Sequence, residues 1–379
     1  MRDPDRVPLQ DLEAHHEPLR VELANAALRV LASGKFISGA ETAALESEIA
    51  AVLGVSQAVG VSSGTDGLLA ALMACGVGPG AEVVTTPFSF FASMGSILRL
   101  GARPVFADIH GDTFNLNPEA ACERVTARTK AVLPVHLFGR AARLGPLEDL
   151  CRQRDLPIVE DAAQAVGASL VDDPVSGAAR GVGTLGRAAV LSFFPSKNLG
   201  GFGDGGMILT RDAALAARLR LLRSHGAAVK HHHELVGGNF RLDELQAAML
   251  RVKLPHLPHW TARRRELASQ YRERLSDLPP RLPAPDPGCV WNQFVVRVPD
   301  GQRDPLRAHL AQAGVDSAVY YPLPLHLQPC VSVLGWRRGD YPEAERAAEE
   351  ALALPMFPEL TTSEVDRVAE VMRGFYAGA

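Results

Sequence analysis

No stretch of the 379-residue chain approaches the ~20 consecutive apolar residues that a membrane-spanning helix needs. The first ten residues, Met1 to Gln10, are polar and charged and lack the apolar segment of a secretory leader. Cysteine is scarce and scattered: Cys75, Cys122, Cys151, Cys289 and Cys330 form no CxxC pair. An odd, dispersed set argues against both a disulfide framework and a cysteine-built metal site, and for reduced thiols in a cytoplasmic protein. Basic residues do not exceed acidic ones, and the formal net charge of −4 gives no electrostatic case for nucleic acid or an anionic membrane. Internal repeats and long low-complexity segments are lacking too.

What is present is a 47% hydrophobic, 22% charged composition, suited to a well-buried protein of about two domains. Residues 1–17 read as an irregular arm. Helical periodicity follows over 18–31 and 41–53. Short apolar strand-like runs then begin at Ala58, Glu82, Val105, Ala131 and Pro157, with helix-like stretches over 91–100, 117–127 and 144–154 between them. Strand and helix in alternation predict an α/β architecture with a mainly parallel sheet covered on both faces, and functional groups just past the strands' carboxyl ends. A boundary near 250–260 separates a large domain, 18–255, from a smaller α+β C-terminal domain, 256–379. The latter holds a long basic helix from Trp260 to Leu275, a strand over 290–298 and helices near 304–313, 343–352 and 363–375.

Six places in the chain carry candidate chemistry. Ala188 to Phe194 reads as a strand running into Pro195-Ser-Lys197 and a glycine-rich loop. A lysine held there suits Schiff-base chemistry, because burial lowers its pKa and frees the amine; a lysine on a surface hairpin is the bland alternative. Ser63-Gly-Thr-Asp66 opens a helix, which makes either an ordinary N-cap or a phosphate site. Asp161 directly follows a buried strand and needs a partner such as a pyridinium N–H, unless it caps the next helix. Phe90 is either a ring platform or a core aromatic. Three adjacent histidines, His231 to His233, read as a solvated loop or polar lid, since consecutive residues rarely share one metal geometry. Tyr320-Tyr-Pro-Leu-Pro-Leu-His-Leu-Gln-Pro329 is too proline-rich for a helix or central strand and combines two phenols with an imidazole.

Seven motifs in order carry a resemblance over about Val7 to Arg373: Ser62-Ser-Gly-Thr-Asp66, Leu133-Pro-Val-His136, Glu160-Asp-Ala-Ala-Gln164, Ser192-Phe-Phe-Pro-Ser-Lys-Asn-Leu-Gly200, Gly203-Asp-Gly-Gly206, Asn239-Phe-Arg-Leu-Asp-Glu-Leu-Gln-Ala-Ala248 and Tyr321-Pro-Leu-Pro-Leu-His-Leu-Gln-Pro329. They resemble the DegT/DnrJ/EryC1/StrS sugar aminotransferases, fold type I enzymes that use pyridoxal 5'-phosphate (PLP). The resemblance implies that Lys197 bonds the cofactor and moves protons, and that Asp161 pairs with its pyridine nitrogen. It also implies that Gln164 lies on one face of the ring and Phe90 on the other, and that Gly64, Thr65 and Ser192 hold the phosphate. Asn239 joins them from the partner subunit of a homodimer with shared active sites. The implied reaction moves an amine from an amino acid, L-glutamate by expectation, to a keto group of a UDP- or dTDP-linked sugar for amino-sugar or polysaccharide biosynthesis. Lysine at position 197 favours amino transfer over the dehydration run by relatives with histidine there. The Tyr320, Tyr321 and His326 segment looks like that of members acting at C3, although Tyr320 stands where those members often carry histidine. A cyclitol ketone as acceptor and a non-catalytic PLP-binding regulator are the alternatives.

Overall fold

The structure, a computed structural model, describes residues 6–171 and 177–378; the first five residues of the expected arm lie outside this range. Seven strands form the main sheet: β1 (Gln57–Val61), β2 (Glu82–Thr85), β3 (Arg103–Phe106), β4 (Thr129–Leu133), β5 (Val159–Asp161), β6 (Ala188–Ser192) and β7 (Gly206–Thr210). One half runs β1-β7-β6-β5 and the other β4-β2-β3. Parallel bridges Val132–Ile158 and Val135–Asp161 join them edge to edge. Only β7 runs antiparallel to its neighbours, β1 and β6; the pairs β2–β3, β2–β4 and β5–β6 are parallel. The strands are apolar along their length because helices cover both faces of the sheet. Every residue of β2 and β7 is buried.

Parallel pairing puts the carboxyl ends of β1, β4, β5 and β6 along one edge of the sheet, which is where Ser63, His136, Asp161 and Ser192 lie. The antiparallel β7 brings its first residue, Gly206, to the same edge opposite Ser192. A Cβ on Gly206 would stand 2.7 Å from the Ser63 carbonyl carbon and 2.8 Å from the Gly64 nitrogen, so only glycine lets these chains approach.

A second core follows helix Leu257–Arg274. There β8 (Phe294–Arg297) and β9 (Ala351–Leu354) pair antiparallel. Tyr271, Phe294, Leu306, Leu310, Leu352, Val368 and Met372 pack around them. The last helix, Thr362–Ala377, opens with a reciprocal capping box between Thr361 and Glu364.

Two expectations are corrected. The arm is not wholly irregular: Asp11 accepts a hydrogen bond from the Ala14 N–H at 2.9 Å and starts a short helix, Leu12–His16. The helix expected to 352 ends at Glu350, because the apolar Ala351–Leu354 pairs with β8 and is buried throughout. Among the described residues no helix is long and apolar enough to cross a membrane.

Candidate active site

Ser192, the last residue of β6, leads through Phe193 and Phe194 into the loop that carries Lys197. The loop is held at alternate residues. Gln10 Nε2 donates to the Ser196 carbonyl at 3.1 Å. Asn198 donates to the Val290 carbonyl at 2.9 Å and accepts from Asn292 Nδ2 at 2.7 Å. Lys253 Nζ donates to the Gly200 carbonyl at 2.5 Å, and the Phe202 N–H donates to Gln246 Oε1 at 2.8 Å. Lys197 is thereby left to face Asp161, whose charge it feels. Lys197 is partly exposed, yet the dense protein around it lowers its pKa to about 8, with Asp161 opposing that fall.

Asp161 ends β5 and is 4% exposed. Burial pushes its carboxyl above the usual carboxylate range, against hydrogen bonds from Ser93 Oγ at 2.7 Å and the Ala163 N–H at 3.2 Å and against the charge of Lys197. Burial thus disfavours the charged form of both groups, so a cation docked on the carboxylate would be strongly bound. Ser93 was not singled out in the sequence; its signal is the Ser89–Ser93 spacing of four residues, which joins the two hydroxyls at 3.0 Å.

At the end of β1, helix Gly64–Ala74 begins with Ser63 as its cap, Oγ accepting from the Asp66 N–H at 3.0 Å. The Gly67 N–H bonds to the Ser63 carbonyl. The remaining N–H groups of the first turn, those of Gly64 and Thr65, lack an intrahelical acceptor, as the first residues of any α-helix do. A Cβ on Gly64 would lie 2.9 Å from Ser192 Cβ, so this glycine keeps a cradle open between helix and strand. Ser96 Oγ donates to the Thr65 carbonyl at 3.3 Å, which ties this turn to the helix that carries Ser93.

Gln164 is fixed at both ends. Its Oε1 accepts from the Phe138 N–H at 2.7 Å and its Nε2 donates to the Tyr321 hydroxyl at 2.9 Å. Both partners hold left-handed backbone, Phe138 at φ 57° and Tyr321 at φ 59°. Such bulky residues pay roughly 1–3 kcal/mol each for that conformation. Burial, the largest influence, raises the Tyr321 phenol above its ordinary pKa, which keeps it neutral. Its ring stacks with Phe138 at 6.2 Å, and Tyr320 lies beside both.

The matching family model, described as the DegT/DnrJ/EryC1/StrS aminotransferase family, covers residues 18–373. The chain belongs to this family. A Geobacillus stearothermophilus relative named "Pleiotropic regulatory protein" is 45% identical over 375 residues, 98% of each chain. A Streptomyces venezuelae relative named "dTDP-3-amino-3,4,6-trideoxy-alpha-D-glucose transaminase" is 43% identical over 371 residues, 97% of this chain and 96% of its own. Among solved structures, S. venezuelae DesV in complex with ketimine intermediate superposes with a TM-score of 0.92 at 43% identity, covering 98% of both chains.

DegT/DnrJ/EryC1/StrS aminotransferases are PLP-dependent fold type I enzymes, and the residues described above fit that cofactor. The glycine-kept cradle with its N–H groups matches a phosphate, and the buried carboxylate matches a pyridinium. The family motifs are thus drawn together at one edge of the sheet, with three exceptions. Phe90 stands at the rim, 61% exposed, at the start of the Ser93 helix. Asn239 is exposed, its Oδ1 accepting from Arg241 Nε at 2.9 Å. His326 is not presented to the cleft. It is 1% exposed, bonded through Nε2 to Glu345 at 3.0 Å and packed against the edges of Phe106 and Tyr341. Glu345 also accepts from the Gly339 N–H, so His326 Nε2 belongs to a buried network, while its buried Nδ1 has no hydrogen-bond partner among the described residues.

Other motif residues are structural. His136 Nδ1 accepts from the Ala142 N–H, so its Nε2 carries the proton donated to the fully buried Glu160 at 2.9 Å. Glu244 caps helix Ala40–Leu53 by accepting from the N–H groups of Gly39, Glu41 and Thr42. His232–His233 pair with Ala227–Val229 in an exposed hairpin. Among the described residues no group of three or more His, Cys, Asp or Glu is arranged to hold a metal ion.

Proposed function

We propose that this chain is a nucleotide-sugar aminotransferase that takes the amine of L-glutamate and places it on C3 of a dTDP- or UDP-linked 3-keto sugar. The observation that carries the reading is the pair formed by Lys197, with its lowered pKa, and the buried Asp161, with its raised one, beside a glycine-kept anion cradle. The C3 acceptor is supported by the name of the S. venezuelae relative, a dTDP-3-amino-sugar transaminase.

Bound PLP supplies an electrophilic carbonyl and an electron-withdrawing ring, which let an amine leave one carbon and join another. Lys197 Nζ would hold that carbonyl between turnovers, and its amine would take a proton from the donor's α-carbon and return one at the acceptor carbon. A pKa near 8 lets the amine accept and give protons near neutral pH. Asp161 keeps a proton on the pyridine nitrogen, with Ser93 orienting the carboxylate. Gly64, Thr65 and Ser192 bind the phosphate, Gln164 lies on the ring and Phe90 closes its other face. Asn239 comes from the partner subunit, its exposure in this chain being consistent with a shared site. Tyr320 and Tyr321 are placed at the sugar. We assign residues 1–17 to an arm, 18–255 to the cofactor-binding domain and 256–379 to the small domain, since helix Leu257–Arg274 begins the second core. The five free cysteines suit a reducing, cytoplasmic compartment.

A PLP-binding regulator is the second reading, favoured by the name of the Geobacillus relative. An acceptor panel separates the two. Turnover of a nucleotide-linked 3-keto sugar supports the first reading, turnover of a cyclitol ketone alone redirects it, and cofactor binding without turnover of any ketone supports the regulator.

A further inference from the structure

Lys253 ends helix Glu244–Lys253 and is 1% exposed, yet among the described residues it forms no ion pair by direct contact. Its Nζ donates to the Gly200 carbonyl at 2.5 Å and lies 3.1 Å from His16 Nε2. The rings of Phe202 and Trp260 face the ammonium at 5.6 and 6.0 Å. Gln246, on the same helix, holds the Phe202 N–H, so a single helix grips the glycine-rich loop at two points just after Lys197. The arm grips its other flank through Gln10 at Ser196. A buried ammonium costs several kcal/mol unless its hydrogen bonds repay it. Here the backbone carbonyl that it bonds lies in the loop that carries the reacting amine.

We propose that Lys253 is a positioning residue for the amino-transfer reaction: its charged form, seated against neutral His16, clamps the Gly200 carbonyl and so fixes the direction in which the loop aims Lys197 at Asp161. The inference rests on Lys197 being the reacting amine. His16 is kept neutral, its pKa lowered to about 4 by burial and by Lys253, so Nε2 accepts from the ammonium. Burial also lowers Lys253 to about 8, with Glu359 opposing. Glu359 is itself engaged by His15 at 2.7 Å and acts on the buried Arg264. Glu13, Glu17 and Arg20 line the outer side of the same arm. A neutral amine donates a weaker hydrogen bond than an ammonium does, so the clamp slackens as pH rises through about 8.

Hydrogen exchange of the PLP-loaded enzyme, read on the peptide covering 193–206 and expressed as protection relative to intrinsic rates, tests this without any sugar acceptor. At pH 7, Lys253→Met is expected to lower protection in that peptide by about tenfold, the worth of one hydrogen bond to a charged group. Wild type is expected to lose protection between pH 7 and pH 9, and Lys253→Arg, which keeps its charge, to hold it. In turnover, Lys253→Met lowers kcat with KM little changed. Wild-type protection in Lys253→Met overturns the clamp. A loss from pH 7 to 9 in Lys253→Arg equal to that of wild type overturns the role of the proton. If Lys253→Met does not fold, the arginine comparison alone decides. Normal exchange behaviour with no sugar turnover would leave the clamp standing and sink only the substrate assignment.

Discussion

Asp161 and Lys197 each sit where the charged form is penalised, and each offsets part of the other's penalty. Removing the carboxylate charge therefore has a signed consequence. Asp161→Asn is expected to drop the Lys197 pKa in the cofactor-free protein below its present value of about 8, because the one group that raises it is gone. The pH dependence of lysine labelling, or the NMR titration of a methylated amine, reads this directly. The same variant is expected to slow amino transfer by about 10²-fold or more, the scale of losing one preorganised electrostatic contact in a reacting site. Both residues drew attention in the sequence because one lies at the carboxyl end of a buried strand and the other in the loop just beyond one. Ser93 was not, because nothing in a serine's identity says which buried carboxylate its helix will face. His326 is the complementary case: a histidine among prolines and tyrosines reads as a ligand-facing group, and nothing in that segment announces that Glu345 holds its Nε2. His326→Ala is expected to cost about 1–3 kcal/mol of stability through the unpaired Glu345, with KM for the acceptor largely retained, as thermal unfolding and steady-state kinetics would report.

Helix Glu244–Lys253 links three parts of the molecule. Its first residue caps helix Ala40–Leu53, Gln246 holds the glycine-rich loop, and Lys253 reaches Gly200. Burial works to raise the Glu244 carboxyl, but hydrogen bonds from Thr42 Oγ1 and from the Glu41, Gly39 and Thr42 N–H groups hold it below its ordinary range. A carboxylate so depressed stabilises the fold above its unfolded pKa, and that contribution fades as pH falls through the folded value. Glu244→Gln is therefore expected to destabilise by about 1–3 kcal/mol near neutrality and by progressively less in acid, as denaturant melts at several pH values would show. At the anchor turn, Gly64→Ala is expected to weaken PLP binding by about tenfold through the overpacked Ser192 contact, while the helix itself tolerates alanine well. A cofactor titration followed by absorbance separates the two effects. The sequence pattern located most of these elements to within a few residues. It misplaced Ala351–Leu354 because four alanines and leucines after a helix continue its periodicity, and only pairing with Phe294–Arg297 makes them a strand.

At the scale of the whole molecule, the sheet order brings residues from four separated strands to one edge, and no local pattern encodes that order. The parallel class was legible from alternating strand and helix; the antiparallel insertion of β7 between β1 and β6 was not, because it depends on Gly206 passing close to Ser63 and Gly64. A site completed by a second copy makes a further prediction. Mixing inactive Lys197→Ala with a weakened Asn239→Ala protein is expected to restore activity, because mixed dimers then contain one site with both residues intact; a mixture no more active than its parts would argue for sites built within one chain. Lys253 adds a pH term to the whole fold. Its pKa is lowered on folding, so the unfolded chain binds the extra proton at pH values above about 8. Stability from this residue therefore rises with pH from there to its unfolded pKa, even as the loop it holds loosens.

Absorbance spectroscopy of the PLP-loaded enzyme through one full cycle decides between the readings of function. Adding L-glutamate is expected to bleach the visible band of the lysine-bound cofactor and raise a near-ultraviolet band, and adding a dTDP- or UDP-linked 3-keto sugar to restore the first, with Lys197→Ala failing at both steps. A visible band that no amino donor bleaches, or a bleached one that no nucleotide-linked keto sugar restores, would contradict the assignment of this chain as a nucleotide-sugar aminotransferase.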